Sequence, residues 1–376
     1  PGGYGRFADV LDKLEEAIVN SGSTSLDEYQ KNARNQLPKL AEKVLNDPWY
    51  KKDRAKHGLP KLESDLKEFD CITAPCLKTC PAEQSPPAYI RRISQGNLHA
   101  AFSSILRQNP LPGMTGYVCP HTCQLKCTRN VYDEAVGIRY LKRYVRDNVK
   151  VKNQPGHPEG PLVAVIGAGP AGLSAAAYLA DAGCKVTIFE ESSKAGGVPR
   201  LAPDFRIPDY VVRSDIDRIK QMGVRIMLNT RIDDPPETLL EEGFKAVFFA
   251  PGFKNDMMPD IPGIDGPGVI GVMEFLRHWQ DSEKFKDIER VLVIGGGNTA
   301  MDAARVSCRL TGKPATIVYR RTQQEMPAWE EEITDMLEEG NEVIELTAPV
   351  KINHMNGKLK SLTCLKNKLG EPDQSG

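Results

Sequence analysis

No apolar run in this 376-residue sequence approaches the roughly 20 residues that a membrane-spanning helix needs, and no secretory signal peptide is visible. An excess of charge of either sign is also lacking, since 49 Lys and Arg oppose 50 Asp and Glu for a net charge of -1. This balance argues against nucleic acid or an anionic membrane as the main partner. These absences predict a soluble cytoplasmic protein with room for two or three domains.

Cysteine pairs at the C-x2-C spacing of zinc sites are absent too, although the chain has nine cysteines. Six of them form one block, which comprises Cys71, Cys76, Cys80, Cys119, Cys123 and Cys127. In a chain of this length, such a block indicates reduced metal ligands rather than disulfides. The Cys-Pro elements at Cys80 and Cys119 favour iron–sulfur ligation over zinc.

What the sequence does contain is two glycine-rich turns, each between an apolar run and a helical stretch. The first is Gly167-Ala168-Gly169-Pro170-Ala171-Gly172, which follows the predicted strand 162–166 and precedes a predicted helix over 171–182. A second predicted strand, 185–189, then ends at Glu190. In such a unit the glycines permit a tight turn and close approach of a pyrophosphate, and the acid accepts hydrogen bonds from a ribose. The pattern predicts a dinucleotide site, with FAD and NAD both open at this point.

The second turn, Gly295-Gly296-Gly297-Asn298-Thr299-Ala300, follows the predicted strand 291–294. Its fingerprint positions are Gly295, Gly297 and Ala300, and the third position tolerates alanine. The next predicted strand, 316–319, ends in Arg320-Arg321 rather than in an acid. Two guanidinium groups favour the 2′-phosphate of NADPH over the free hydroxyl of NADH. A solvated arginine pair at a strand end is the alternative.

The order of these features resembles the family of the glutamate synthase small subunit and the amino-terminal half of dihydropyrimidine dehydrogenase. The resemblance covers the chain from about Cys71 onward and includes Gly196-Gly197 and Ala250-Pro251-Gly252, where the family usually has threonine in place of Pro251. It implies an α/β fold in which a helical iron–sulfur domain precedes two Rossmann-like nucleotide-binding domains. It also implies FAD at the first site, approached by Gly197 and Gly252, and NADPH at the second, near Asn298, Thr299 and Asp302. For Asp302, a helix-dipole interaction remains open.

The predicted domains are a helical leading segment 1–67, an iron–sulfur domain 68–150, an FAD domain 161–264 and an NAD(P)H domain 265–376. A Pro- and Gly-rich stretch around 152–161 is predicted to be a linker. In the family the NADPH domain interrupts the FAD domain, and the segment that returns to complete the flavin site is expected after residue 376. The chain also begins at Pro1 without methionine, so we expect a piece of a larger multidomain protein or complex. The start Pro1–Arg6 and the motif Phe69-Asp70-Cys71 resemble the selenate reductase subgroup of the family.

The family implies two [4Fe-4S] clusters, and the sequence departs from its ligand pattern twice. By position, Cys71, Cys76 and Cys127 would hold one cluster, and Cys80, Cys119 and Cys123 the other. The family's additional cysteine is replaced by Glu68, and its Gln or Glu ligand by Lys142. Glu68 or Asp70 could offer an oxygen, but a protonated lysine cannot ligate. The expectation is therefore one or two clusters.

These features predict an enzyme that passes electrons from NADPH through FAD and iron–sulfur clusters to an acceptor domain or subunit, with no acid–base catalyst. A thioredoxin-reductase-like enzyme would need a C-x-x-C motif in the nicotinamide domain, and residues 291–319 have none. The remaining alternative is a non-catalytic docking or structural fragment of a larger reductase. The run Glu330, Glu331 and Glu332 is predicted to be a solvated helix face.

Overall fold

The computed structural model describes residue 39 and residues 74–149, 158–233, 236–253, 255–279, 285 and 288–370. The described residues form two compact units. One holds residues 74–112 and 121–149, and the other holds residues 113–120 together with those from 158 onward. The leading segment 1–67, Cys71 with Glu68 and Asp70, most of the predicted linker and residues 371–376 lie outside the described residues. The predicted domain boundaries therefore stay predictions.

The first unit is built from short helices. They are α1 (Pro75–Lys78), α2 (Pro86–Ser94), α3 (Leu98–Leu106), the start of α4 (Pro112–Val118), α5 (Thr122–Leu125), a 3-10 turn (Thr128–Val131) and α6 (Ile138–Asn148). Proline at the first position starts α2, and the Asn97 side chain caps α3 by accepting the Ala100 N–H at 3.0 Å. The buried core of this unit joins Phe102 and Ile105 to Val145 and to Cys123.

The second unit contains a parallel four-stranded sheet in the order β3-β2-β1-β4. Its elements are β1 (Leu162–Ile166), α7 (Pro170–Asp181), β2 (Lys185–Phe189), a 3-10 turn (Val198–Arg200), α8 (Asp209–Gln221), β3 (Arg225–Met227), α9 (Pro236–Glu241) and β4 (Ala246–Phe249). The bounds of β1 and β2 agree with the predicted strands. Because parallel strands end at one edge of a sheet, the glycine turn after β1 and Glu190 after β2 meet there.

A second parallel sheet, in the order β5-β6-β7, repeats this arrangement. Its elements are α10 (Val272–His278), β5 (Leu292–Ile294), α11 (Asn298–Thr311), β6 (Thr316–Val318), a 3-10 turn (Gln323–Glu325), α12 (Glu330–Glu338) and β7 (Glu342–Ile344). An antiparallel hairpin follows, formed by β8 (Thr347–Met355) and β9 (Lys358–Lys366). Strand–turn–helix–strand order in both sheets confirms the predicted α/β fold class. No helix among the described stretches is long and apolar enough to cross a bilayer.

Candidate functional site

The first glycine turn leaves the start of α7 open to a ligand. Gly169 occupies the N-cap position, and no side chain caps the helix. Pro170 and Ala171 are exposed, and a Cβ on Gly169 would meet nothing nearer than the Gly197 Cα at 3.9 Å. The unpaired N–H groups of a helix N-terminus attract anionic oxygens. The turn therefore fits a pyrophosphate, and the Gly197 backbone lies beside Gly169.

Two other glycines of this turn are required by packing. A Cβ on Gly172 would lie 1.9 Å from the Gly167 carbonyl oxygen, and one on Gly167 would lie 2.2 Å from that of Ala250. Gly167 also has a φ of +100°, which favours glycine. Gly252, with a φ of +71°, has open space where a Cβ would project. Gly167 and Gly172 thus shape the turn, whereas Gly169 and Gly252 leave room beside it.

Glu190 is buried at the sheet edge and ties the two loops together. Its Oε2 accepts the Ala168 N–H at 2.7 Å, and its Oε1 accepts the Ser192 N–H at 2.9 Å. The Ser192 hydroxyl also contacts Oε1. A carboxylate has about four acceptor positions, so capacity for ribose hydroxyls remains. The structure adds a role in holding the first turn, which was not predicted from the sequence.

The second glycine turn has the same open geometry. Gly297 is the N-cap of α11, no side chain caps that helix, and a Cβ on Gly297 would have no neighbour within 4 Å. Gly295 has a φ of +128°. Thr299 is exposed and Ala300 is buried against the sheet, as in a dinucleotide turn. The Asn298 Oδ1 accepts the Trp329 N–H at 2.9 Å, and this bond fixes the start of α12.

Gly296 is a site residue that the sequence reasoning did not single out. A Cβ there would lie 2.7 Å from the Tyr319 ring and 3.0 Å from the Met326 Cγ. The Tyr319 hydroxyl donates to the Glu325 carbonyl at 2.7 Å. The glycine run is therefore packed against the end of β6, directly before the arginine pair.

The arginine pair follows β6 at the carboxyl edge of the second sheet. The Arg320 side chain is exposed and that of Arg321 is half-buried. The Arg320 carbonyl accepts from the Asn367 side chain at 2.9 Å, and the Arg321 carbonyl accepts the Leu346 N–H at 3.0 Å. These bonds hold the backbone of the pair at the edge where the glycine turn also lies. A 2′-phosphate role for the two side chains remains a prediction.

The described cysteines of the block form no disulfide. Burial and the neighbouring Cys127 thiol raise the pKa of Cys76 above its usual value, with a smaller contribution from Cys80. The Cys127 Sγ accepts the Val136 N–H at 3.5 Å, a contact typical of sulfur ligands in iron–sulfur proteins. The neighbouring Cys76 and Cys127 thiols and the N–H donor to sulfur suit two ligand positions of an iron–sulfur cluster. In the described part of the chain, no three His, Cys, Asp or Glu side chains converge on one metal position.

Cys119 belongs to the unit that contains the nucleotide-binding sheets. Its segment, 113–120, is held by Asp215 of α8, whose carboxylate accepts the Gly113 N–H at 3.1 Å and the Met114 N–H at 2.8 Å. Asp215 is buried, and a carboxylate at a helix N-terminus is electrostatically favourable. Segment 113–120, which carries the predicted cluster ligand Cys119, is thus attached to α8, a helix of the first nucleotide-binding domain.

A buried ion-pair network was also missed by the sequence reasoning. Arg206, from the loop before α8, contacts Asp302 of α11 at 2.5 Å and Glu332 of α12 at 3.1 Å. Arg305 contacts Glu332 at 3.4 Å and Glu339 at 2.8 Å. The prediction of a solvated face is therefore wrong for Glu332, whose side chain is only 12% exposed.

Asp302 is a buried member of this network, and its Oδ2 accepts from Arg206. Burial raises its pKa from 3.8 to about 6, Arg206 opposes the shift, and Glu332 adds to it. One oxygen, Oδ1, has no hydrogen-bond partner. The network joins the loop before α8 to α11 and α12, the two helices beside the second sheet. The shortest contact of the network joins Arg206 to Asp302, which are 96 positions apart in the sequence.

We expect the stability of this unit to fall as pH rises from about 4 to 6. The folded state binds the Asp302 proton more tightly than the unfolded chain does, so the contribution is greatest below pH 4 and is lost through pH 6. The expected loss is roughly 1–3 kcal/mol of unfolding free energy. Urea denaturation of the wild type and of Asp302→Asn across this range measures it. An identical pH dependence in both proteins would contradict the assignment to Asp302.

Comparisons with known proteins agree with this geometry. Residues 65–154 match the family described as dihydropyrimidine dehydrogenase domain II, 4Fe-4S cluster, and residues 161–369 match the pyridine nucleotide-disulphide oxidoreductase family. The whole chain is 37% identical to the oxidoreductase YgfK of Escherichia coli K12, and the match covers 36% of YgfK. It is 38% identical to the NADP(+)-dependent formate dehydrogenase subunit beta of Moorella thermoacetica, covering 81% of this chain and 48% of the relative.

A third relative is matched over most of its own length. The glutamate synthase [NADPH] small chain of Halomonas elongata is 31% identical over 93% of this chain and 76% of the relative. The chain spans only about a third to a half of YgfK and the formate dehydrogenase subunit. The predicted cofactor classes, FAD, a nicotinamide nucleotide and [4Fe-4S], are confirmed at the level of these families, and the docking-fragment alternative is not favoured. The chain belongs to the glutamate synthase small-chain-like family of pyridine nucleotide-disulphide oxidoreductases, joined to an iron–sulfur domain of the dihydropyrimidine dehydrogenase type.

Proposed function

We propose that this chain is the electron-input module of a larger reductase, taking electrons from NADPH at the second glycine turn and passing them through FAD at the first turn to iron–sulfur clusters. The observation that carries the proposal is the pair of uncapped helix N-termini, at Gly169 and Gly297, within one compact unit. When bound, FAD accepts a hydride from the nicotinamide and releases single electrons to a cluster.

The protein residues act by placing these groups. The N–H groups at the start of α7 bind the FAD pyrophosphate, and Glu190 holds the turn while accepting from the ribose. Gly197 and Gly252 allow close approach of the backbone to the ligand. At the second turn, close approach of the backbone to the nucleotide is allowed by Gly295, Gly297 and Ala300. No side chain is required as a nucleophile or as an acid–base catalyst.

Cys76, Cys80, Cys119, Cys123 and Cys127 serve as cluster ligands in this proposal, together with Cys71. The interaction between the Cys76 and Cys127 thiols, which the resemblance assigns to the same cluster, supports ligation within the first unit. Six thiolates fill two [4Fe-4S] clusters only if other residues supply two further ligands. Iron and acid-labile sulfide per polypeptide in anaerobically purified protein distinguish one cluster from two.

The choice of NADPH over NADH rests on Arg320 and Arg321. We expect replacement of both by glutamine to raise the Michaelis constant for NADPH at least about tenfold, because one hydrogen bond to a charged group contributes roughly 1.5–3 kcal/mol. The constant for NADH should change little, since NADH has no 2′-phosphate. Stopped-flow reduction of the flavin by each nucleotide measures both constants.

Arg290 offers a matched control for this experiment. It is exposed and precedes β5, at the sheet edge opposite the glycine turn. Arg290→Gln should leave both Michaelis constants unchanged. Equal weakening of NADPH and NADH in the Arg320 and Arg321 variant would contradict the assignment.

The electron acceptor is proposed to be another domain or subunit of the same assembly. Two of the relatives are described as subunits, a formate dehydrogenase beta subunit and a glutamate synthase small chain, which supports a partner of this kind. We place the protein in the reducing cytoplasm, where a block of cysteines stays reduced and available as metal ligands. Glutamate synthase and selenate reductase remain the two candidate assemblies.

A further inference from the structure

The loop 201–208, which precedes α8, connects the first glycine turn to the helix of the second turn. Just before the loop, a Cβ on Gly197 would lie 2.7 Å from the Gly169 Cα, so the chain enters the loop against the turn proposed to bind FAD. Further along, Phe205 and Arg206 contact α11, the helix that follows the second glycine turn. All these residues belong to one compact unit. The loop therefore joins the two proposed nucleotide sites.

Arg206 is held between carboxylates from two helices. Its guanidinium contacts Asp302 of α11 at 2.5 Å and Glu332 of α12 at 3.1 Å. The side chains of Arg206, Asp302 and Glu332 are only 11%, 7% and 12% exposed. A guanidinium presents its N–H donors in a rigid planar fork, so simultaneous contact with two carboxylates defines its orientation. The loop is thereby fixed to both helices.

Phe205 adds a second contact between the loop and α11. The guanidinium carbons of Arg305 and Arg309 lie 4.6 Å and 4.0 Å from the centre of its ring. Both arginines also pair with Glu339, at 2.8 Å and 2.6 Å, which fixes them from the end of α12. Cations at this distance from an aromatic ring are attracted to it. Neighbouring residues of one loop thus bind the same helix in two ways.

The buried contact is better suited to fixing a position than to adding stability. Among the described residues, the Arg206 Nε and the Asp302 Oδ1 are buried atoms without a hydrogen-bond partner. Unsatisfied buried polar atoms are unfavourable, and apolar side chains in place of a buried ion pair often give equal or greater stability. An ion pair has a defined geometry that apolar packing lacks. The contact therefore defines where α11 lies relative to the loop.

We propose that Phe205 and Arg206 form a clamp that holds α11 in a fixed position relative to the FAD turn, which makes Arg206 a positioning residue for hydride transfer. The inference rests on the proposed function, in which NADPH is oxidised to NADP+ as its hydride reduces FAD. Asp302 lies five residues after Gly297, about 7.5 Å along α11. A shift of α11 would displace the nucleotide bound at its start, and a displacement of about 1 Å can lower a rate about a hundredfold.

The first test is stopped-flow reduction of the flavin in the holoprotein by NADPH, with the rate expressed per bound flavin. Arg206→Met should lower the limiting rate at least about tenfold. The dissociation constant for NADPH should stay within about twofold, because the second glycine turn is unchanged. A merely structural role would reduce the amount of flavin-bound protein and not the rate per flavin. Arg213→Met, which removes an exposed arginine from α8, is the matched control and should keep the wild-type rate.

A double variant separates position from stability. Arg206→Met combined with Asp302→Asn removes both charges of the shortest contact, and Glu332 keeps Arg305 as its partner. The double variant should regain stability lost in Arg206→Met but not the rate per flavin. Hydrogen exchange of the flavin-free protein gives a readout that needs no activity. Amides of loop 201–208 should exchange at least about tenfold faster in the double variant than in the wild type, with β1 and β6 unchanged.

A wild-type rate per flavin in Arg206→Met would overturn the inference while leaving the proposed function intact. The same holds if the double variant regains the rate together with the stability, or if loop exchange is unchanged. If Arg206→Met binds no FAD, the double variant decides by rate and exchange, and if neither binds FAD, the exchange measurement decides. A wild-type flavin that NADPH does not reduce would contradict the proposed function itself, and the inference with it.

Discussion

Replacement of Gly172 by alanine is expected to abolish FAD binding by unfolding the first glycine turn. The added Cβ would lie 1.9 Å from the Gly167 carbonyl oxygen and 3.2 Å from Val165 Cγ1, so β1 and α7 must separate. Overpacking costs about 1–3 kcal/mol of unfolding free energy, and more where backbone on both sides cannot move. Urea denaturation of the flavin-free protein measures this loss directly.

Gly169→Ala separates packing from ligand approach and is the matched control. Gly169 has an ordinary extended backbone, φ −77° and ψ −178°, and space for a Cβ. The flavin-free variant should therefore be within about 1 kcal/mol of the wild type. Its methyl group projects where the pyrophosphate must approach, so FAD affinity should fall at least about tenfold. Equal stability of Gly172→Ala and Gly169→Ala would contradict this account of the turn.

Removal of Arg206 is expected to destabilise the nucleotide-binding unit by about 3–5 kcal/mol at pH 7. Arg206→Ala would leave the carboxylates of Asp302 and Glu332 buried, with side chains 7% and 12% exposed. Breaking a buried pair by removing one partner has this cost because Asp302 loses its direct ion-pair partner, whereas Glu332 keeps Arg305. The deficit should shrink at pH 5, where Asp302 takes up a proton.

Arg213→Ala provides the comparison for a surface ion pair. Arg213 contacts Asp209 at 2.9 Å with its side chain 62% exposed. Such pairs contribute little, so the change should stay below about 0.5 kcal/mol. Thermal and urea unfolding at pH 5 and pH 7 measure both variants. A deficit in Arg206→Ala that does not depend on pH would contradict the role of Asp302.

The elements that local sequence determines were predicted well. Strands β1 and β2 have the predicted ends because apolar runs, glycine turns and helix starts are adjacent in the chain. The open helix N-termini at Gly169 and Gly297 follow from the same local pattern. The contact of Arg206 with Asp302 could not be predicted in this way, because it joins distant loops whose meeting depends on tertiary packing.

Charged residues in buried positions were the main source of error. Glu332 was predicted to be solvated because an acidic run at a helix start usually is, but Arg206 and Arg305 approach it from other elements. For Lys142 a signal was present, since its spacing from Ile138 and Val145 places it on the apolar face of α6. Its burial is therefore visible in the helical period.

The most direct test of electron input is an anaerobic titration of the purified protein with NADPH, followed by visible absorption and EPR. The account predicts that substoichiometric NADPH bleaches the flavin bands and that a reduced iron–sulfur signal appears with them. NADH should do so only at much higher concentration. A protein that contains flavin and iron but shows no bleaching by NADPH would contradict the proposed function.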